Sequence, residues 1–258
     1  MRTEPDPAIV VRLRAAGCVF AEDEARLLTA DATTPAELDA LVARRVDGEP
    51  IEQVLGWAEF CGLRIALEPG VFVPRRRTEL LAREAIALAH DGAVVVDLCC
   101  GSGAVGAAMA AALDRLELHA TDVDPAAVRC ARRNLPDDAA VYAGDLDQPL
   151  PIRLRGRVDV MVANTPYVPT GEVGLLPPEA RLHEPREALD GGADGLDIAR
   201  RVVAAAPRWL APGGSVLVET SERQAPVLAE VVAAHGLTPR VVHSDDLAAT
   251  MVIGTAPG

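Results

Sequence analysis

Along the first fifty residues the apolar positions recur at helical spacing, and three helices are predicted: Asp6 to Ala16, Ala21 to Ala30 and Thr34 to Val46. The third opens on Thr34-Pro35, with Glu37 placed to complete a capping box. Between Pro50 and Val73 the pattern changes to alternation broken by Gly56 and Gly62, which predicts a hairpin linker containing Trp57 and Phe60. From about Thr78 a helix is followed by short β-branched or apolar runs that alternate with helical segments. Strands are predicted near Ala93–Leu98, Glu117–Asp122, Ala140–Gly144, Val158–Asn164, Ser215–Thr220, Arg240–His243 and Thr250–Thr255. Helices are predicted near Pro125–Asn134, Leu196–Leu210 and Ala225–His235, and Pro212-Gly213-Gly214 is expected to stop the chain before the Ser215 strand. Such alternation implies an α/β fold, a doubly wound and mostly parallel seven-stranded sheet covered on both faces. The Ser244–Ala249 connection is too short for a crossover, so the last two strands form a hairpin and one pair is antiparallel. The expected organisation is an N-terminal helical unit over residues 1–48, a hairpin linker over 49–77 and an α/β domain over 78–258.

With 258 residues, half of them hydrophobic, the chain can bury one sizeable core and a small accessory unit. Its 38 acidic and 25 basic residues give a formal net charge of −13. That is a poor footprint for gripping nucleic acid, where phosphate contacts dominate affinity. Arg75-Arg76-Arg77 is the candidate for a local basic patch, either a solvated loop or a contact with an acidic partner or substrate. The five cysteines include no Cys-x-x-Cys pair, no charged-then-apolar leader follows Met1, and no apolar run reaches membrane-spanning length. A reduced, cytoplasmic protein with free thiols and no membrane partner is expected. Adjacent Cys99 and Cys100 read as small side chains in a tight turn, and no histidine has metal-ligand spacing, so no metal is expected.

The first candidate chemistry lies where Val94-Val95-Val96-Asp97-Leu98-Cys99-Cys100 passes into Gly101-Ser102-Gly103 and then into an Ala-rich helix from about Ala104 to Leu113. Glycines let the backbone approach a ligand, and the helix start offers unpaired N–H groups. Downstream, Asp122 ends a strand, where a carboxylate can accept both hydroxyls of a ribose. Gly101-x-Gly103-x-x-Gly106 with Asp122 also fits a dinucleotide fingerprint. Asp97 argues against that reading, because a carboxylate at the mouth of the loop repels a pyrophosphate and suits an amino-acid ammonium. S-adenosylmethionine has an ammonium, a ribose and no phosphate, and it matches this set.

The second candidate is Asn164-Thr165-Pro166-Tyr167, which follows the apolar strand Val158 to Ala163. A side-chain carbonyl (Asn164) and a backbone carbonyl (Thr165) can hold both hydrogens of an NH2 group, and Tyr167 can lie against a planar amide. A strand end with a proline turn explains the same residues without any chemistry.

From about Gly48 to Gly254 the chain resembles the protein glutamine methyltransferases that modify peptide-release factors, a branch of the class I S-adenosylmethionine-dependent enzymes. The resemblance rests on Glu49-Pro50-Ile51-Glu52-Gln53-Val54-Leu55-Gly56, Phe60-Cys61-Gly62-Leu63, Val73 to Glu79, the Gly loop and Asn164 to Tyr167. It continues through His183-Glu184-Pro185-Arg186-Glu187-Ala188-Leu189-Asp190-Gly191-Gly192, Asp194-Gly195-Leu196 and Leu210-Ala211-Pro212-Gly213-Gly214. Four departures mark a divergent paralogue: Cys99 stands where the family has glycine, Cys100 where it has threonine, Thr165 where it has proline, and Arg76-Arg77 where it has a proline and an acid. The resemblance implies a Rossmann-like class I methyltransferase domain and an N-terminal helical substrate-recognition domain. It also implies a protein partner carrying an exposed glutamine, such as a peptide-release factor. Asn164, Thr165, Pro166 and Tyr167 are then the catalytic set. Asp122 is assigned to the ribose, the backbone of Cys99 to Gly103 and Asp97 to the methionine portion, and Asp145-Leu146 to the adenine, with Asn164 also near the cofactor. Two alternatives remain: methylation of a nucleobase amine, which needs the same grip on an NH2 group, and a cofactor-binding protein that has lost catalysis.

Overall fold

The computed structural model describes residues 5–258. Three helices, α1 (Pro7–Ala15), α2 (Ala21–Asp31) and α3 (Pro35–Val46), open the chain, and a short α4 (Ile51–Leu55) follows. Local chemistry sets their starts. The Asp6 carboxylate accepts from Ala8 N–H at 2.8 Å, and Thr34 Oγ1 accepts from Glu37 N–H at 3.2 Å. Glu37 does not close the expected box on Thr34; it reaches one residue further back, to the N–H of Thr33 at 2.7 Å. Leu13, Ala25, Leu28, Val42 and Val54 pack into a separate apolar cluster, so α4 belongs with this helical group. Beside it, Arg45 and Glu24 form a buried pair at 2.7 Å.

The predicted hairpin is present as β1 (Trp57–Phe60) and β2 (Leu63–Ala66). Its two-residue turn places both Cys61 and Gly62 at positive φ, 50° and 74°, the backbone that matches the twist of the strands. After it come α5 (Glu79–Leu88), β3 (Val94–Leu98), α6 (Ala104–Ala112), β4 (Glu117–Asp122), α7 (Pro125–Asn134), β5 (Ala140–Ala143) and β6 (Val158–Ala163). The remainder is α8 (Pro178–His183), α9 (Asp197–Ala205), β7 (Leu210–Thr220), α10 (Ala225–Ala234), β8 (Thr238–Ser244) and β9 (Ala249–Thr255).

Seven strands form one sheet in the order β5-β4-β3-β6-β7-β9-β8. The first five are mutually parallel; β9 runs antiparallel to β8, as the short connection requires, and also to β7, so two pairs are antiparallel where one was expected. Every residue of β3 is buried, with Val95 in the apolar layer shared with α5, α6 and α7, and Val94, Val96 and Leu98 in the layer shared with α9 and α10. That two-sided burial explains why the strand is continuously apolar except at Asp97.

Two expectations are corrected here. Pro212-Gly213-Gly214 does not stop the chain; it lies inside β7, where the pairing with β6 shifts register between Val158 and Val160. A Cβ on Gly214 would sit 2.6 Å from the Val158 carbonyl, so glycine is what lets the irregular strand pass. The helix expected from Leu196 to Leu210 ends at Ala205 and tightens into a 3-10 turn over Ala206–Arg208, where Pro207 interrupts the ladder.

Candidate active site

Connections from β3 diverge, to β4 on one side and eventually to β6 on the other, and ligand crevices form at the carboxyl ends of strands at such a point. A cavity of about 710 Å³ opens there. Of the residues singled out in the sequence, Asp97, Cys99, Cys100, Gly101, Ser102, Asp122, Asp145, Leu146 and Asn164 to Tyr167 line it. Gly103 does not. It is the N-cap of α6 at φ 78°, and a Cβ there would press on Ala131 at 3.1 Å and Leu135 at 3.2 Å, so it serves the packing of the loop on α7.

The loop from Cys99 to Gly103 is held by carboxylates. Asp122 accepts from Gly101 N–H at 2.8 Å and from Asp124 N–H at 2.9 Å, while Asp97 accepts from Gly106 N–H at 3.2 Å. Cys99 and Gly101 both stand at φ 54°, which Gly101 adopts freely and Cys99 only at a cost. Burial pushes the Cys99 and Cys100 thiols well above their ordinary range, which favours the protonated form of both. All five cysteines are free. Asp97 is 2% exposed, and burial, aided by the nearby charge of Asp122, lifts its carboxyl from 3.8 to about 7. No side-chain cation is paired with it among the described residues. Burial likewise raises Asp122, against the backbone donors that favour its charge. Asp145 is more committed: its Oδ2 pairs with Arg201 at 2.6 Å and accepts from Gln148 at 3.1 Å.

At the other end of the cavity, Asn164 is the first residue past β6. Its Nδ2 donates to Thr78 Oγ1 at 3.3 Å, and no donor among the described residues engages its Oδ1. The Tyr167 hydroxyl donates to Glu219 Oε1 at 3.5 Å, and the Arg77 guanidinium lies over the Tyr167 ring at 5.5 Å. Burial raises the phenol, which stays protonated. The segment after Tyr167 is stitched to the motif around Asp190: Val168 N–H donates to the Leu189 carbonyl at 3.0 Å, and Gly191 N–H to the Val168 carbonyl at 2.8 Å. Glycine is required at 191 and 195, because a Cβ would lie 2.5 Å from the Pro166 carbonyl oxygen and 2.2 Å from that of Tyr167.

The arginine run divides its labour. Arg75 pairs with the buried Glu184 at 2.5 Å, Arg77 faces Tyr167 and Glu219, and Arg76 is exposed. Sequence reasoning did not single out Thr78 or the roof of the cavity from Pro185 to Asp190 as site residues, nor Glu219 behind Tyr167. Thr78 and the roof sit in stretches already quoted for the resemblance, which was the available signal. A second cleft of about 800 Å³ shares Leu146 but not Asn164, and its Arg201 and Arg208 are tied to Asp145 and Asp147.

A relative from Geobacter sulfurreducens, a release factor glutamine methyltransferase, is 42% identical over 197 residues, covering 74% of this chain and 68% of that protein. The chain belongs to the release factor glutamine methyltransferase family. Residues 62–190 also match the model of the methyltransferase small domain. A second relative, from Streptomyces pristinaespiralis, is 37% identical over 246 residues, 87% of this chain and 82% of that protein, and is named a 4-amino-L-phenylalanine/4-methylamino-L-phenylalanine methyltransferase. The sheet agrees with a solved methyltransferase from Pyrococcus furiosus at TM-score 0.57 and 20% identity, over 84% of this chain and 98% of that one, which supports the fold. As a member of this family the chain is a Rossmann-like class I methyltransferase. Among the described residues no helix is long and apolar enough to cross a membrane, and no group of metal-ligating side chains is present.

Proposed function

We propose that this methyltransferase uses S-adenosylmethionine to methylate the side-chain amide nitrogen of a glutamine in a protein of the translation apparatus, such as a peptide-release factor. One observation carries the reading. Asn164, anchored through its amide nitrogen and free at its oxygen, shares a cavity with the buried Asp97 and the half-buried Asp122, neither of which is paired with a side-chain cation among the described residues.

Those carboxylates fit the cofactor. The ammonium of an amino acid supplies the charge that Asp97 lacks, and the lone pairs left on Asp122 after Gly101 and Asp124 suit ribose hydroxyls. A pyrophosphate fits badly, since Asp97, Asp122, Asp124 and Asp145 all border the same space. Leu146 offers an apolar face for the adenine, and Asn164 borders the cofactor as well as the acceptor. Bound there, S-adenosylmethionine supplies an electrophilic methyl group.

An amide nitrogen is a poor nucleophile because its lone pair is shared with the carbonyl. Asn164 Oδ1 and the Thr165 carbonyl accept its two hydrogens, and these bonds strengthen as positive charge grows on nitrogen. Pro166 sets the direction of that carbonyl, and Tyr167 flanks the amide. The nitrogen turns acidic as it is methylated and gives its proton to water, so no strong base is needed. Helices α1 to α4 serve substrate recognition, because Arg45 reaches from α3 to Glu179 of α8 at 2.5 Å, beside the roof of the site. The Streptomyces relative supports a second reading, an aromatic amine of a free amino acid, whose NH2 group the same two acceptors would hold.

The test is transfer of labelled methyl groups into a bacterial lysate that is then separated into protein, nucleic acid and small molecules. Label in protein is expected. Label confined to nucleic acid would overturn the reading, and label in free amino acids would replace it with the second.

A further inference from the structure

Among the described residues, a single cation lines the cavity that holds Asn164. The other charged side chains there, Asp97, Asp122, Asp124, Asp145, Glu187 and Asp190, are all acidic, and Arg77 stands alone among them. Resting on the reading of Asn164 to Tyr167 as the amide-holding set, we propose that Arg77 is a specificity-determining residue. It receives a carboxylate that the acceptor carries close to the nitrogen to be methylated.

Its neighbours in the chain are differently placed. The Arg75 guanidinium is committed to the buried Glu184 at 2.5 Å, and Arg76 is exposed and does not line the cavity. Arg77 is held at its inner edge. Its Nε faces Glu219 Oε1 at 3.5 Å, and its Cζ lies 5.5 Å from the centre of the Tyr167 ring. Beyond those two contacts, its terminal NH2 groups meet no hydrogen-bond acceptor among the described residues. The side chain is 46% exposed, which leaves these donors open to an arriving group. A planar fork of paired N–H groups matches a carboxylate, which it takes through two parallel hydrogen bonds.

Two features assign that carboxylate to the acceptor. Arg77 covers Tyr167, the residue at the flank of the amide, so it borders the acceptor's place. The cofactor's own carboxylate shares a carbon with the ammonium, which falls to Asp97, 2% exposed and not paired with Arg77. The formal net charge of −13 disfavours an acceptor that is acidic over its whole surface, so the acid is a single local group. It has two sources. At about 3.3–3.6 Å per extended residue, an acidic side chain within about three residues of a target glutamine reaches the fork. A free amino acid whose ring carries the amine supplies its α-carboxylate instead.

The test compares acceptors that differ in one carboxylate. Calorimetry at pH 7 in saturating S-adenosylhomocysteine measures the binding of glutamine peptides with Asp or Asn at each flanking position. It also compares 4-amino-L-phenylalanine with its carboxamide. The parent should prefer the carboxylate member of a pair by about tenfold, the scale of one charge-assisted pair at a half-exposed site. Preference among the peptides places the acid in a protein, and preference in the amino-acid pair alone names the other source. Arg77→Gln should abolish the preference and Arg77→Glu should reverse it, with affinity for S-adenosylhomocysteine unchanged. Arg77→Lys keeps a cation beside Glu219 but loses the fork; it should retain part of the preference, and it keeps the proposal testable should the glutamine variant fold poorly. In transfer assays the loss should fall on KM for the acceptor rather than on kcat. No preference in the parent, a preference that survives Arg77→Gln, or a loss confined to S-adenosylhomocysteine affinity overturns the proposal. Label reaching lysate protein without any carboxylate preference removes this role of Arg77 and leaves the proposed function standing. A carboxylate preference lost in Arg77→Gln, with no transfer to any probe or to lysate, does the reverse.

Discussion

Thr165 offers the sharpest separation of backbone from side chain at the site. The residue is 2% exposed, and its Oγ1 is buried without a hydrogen-bond partner. A buried hydroxyl left unbonded costs about 1–3 kcal/mol, so Thr165→Val, which exchanges it for a methyl group of the same size, should raise stability by about 1–2 kcal/mol. For a chain of this length that is a rise in Tm of about 2–8 °C, at about 2–4 °C per kcal/mol. Turnover and cofactor affinity should stay near normal, because the proposed contribution of this position is its carbonyl. Thr165→Pro deletes the same hydroxyl and biases Asn164 toward an extended backbone, so it too should keep near-normal turnover. Differential scanning calorimetry and steady-state kinetics on both variants decide the matter. A valine variant that melts below the parent and loses turnover would refute the reasoning and place the hydroxyl itself among the groups that grip the acceptor.

Three further outcomes are expected. Asn164→Ala removes one acceptor of the transition state and should cost on the order of 10²–10³ in turnover while changing S-adenosylmethionine affinity far less, measured by kinetics and calorimetry side by side. Asp97, raised from 3.8 to about 7 in the folded protein, contributes stability that is complete below its unfolded value and is lost as pH rises through about 7. An ammonium reverses that preference, so cofactor affinity should climb with pH up to about 7, with proton release on binding below it; Asp97→Asn should flatten both dependences in calorimetric titrations. Gly103→Ala places a Cβ 3.1 Å from Ala131 at φ 78°, and thermal melting should show a loss of about 2 kcal/mol or more.

The strands that build the site were legible because β-branched runs buried on both faces leave little ambiguity: β4 and α7 fall at their predicted limits, and β3 and β6 within one residue. Short elements were not. Five residues of α4 and six of α8 carry too few turns for a period to show. Pro212-Gly213-Gly214 carries the chemistry of a stop, and only contact with the Val158 carbonyl reveals it as an irregularity within β7. At the site, the Gly loop, Asp97, Asp122 and Asn164 stand out because each is polar or glycine at the end of an apolar run. Thr78 does not, because its significance lies in a hydrogen bond to a residue 86 positions away in the chain.

The central claim is that the acceptor is a glutamine amide in a protein. It is tested most directly by incubating the purified chain with a bacterial peptide-release factor and methyl-labelled S-adenosylmethionine, then locating the added methyl by fragmentation mass spectrometry. A single methyl on the side-chain nitrogen of one exposed glutamine, absent with Asn164→Ala, is the predicted result. A methyl on a lysine, an arginine or the chain terminus, with every glutamine unmodified, would contradict it.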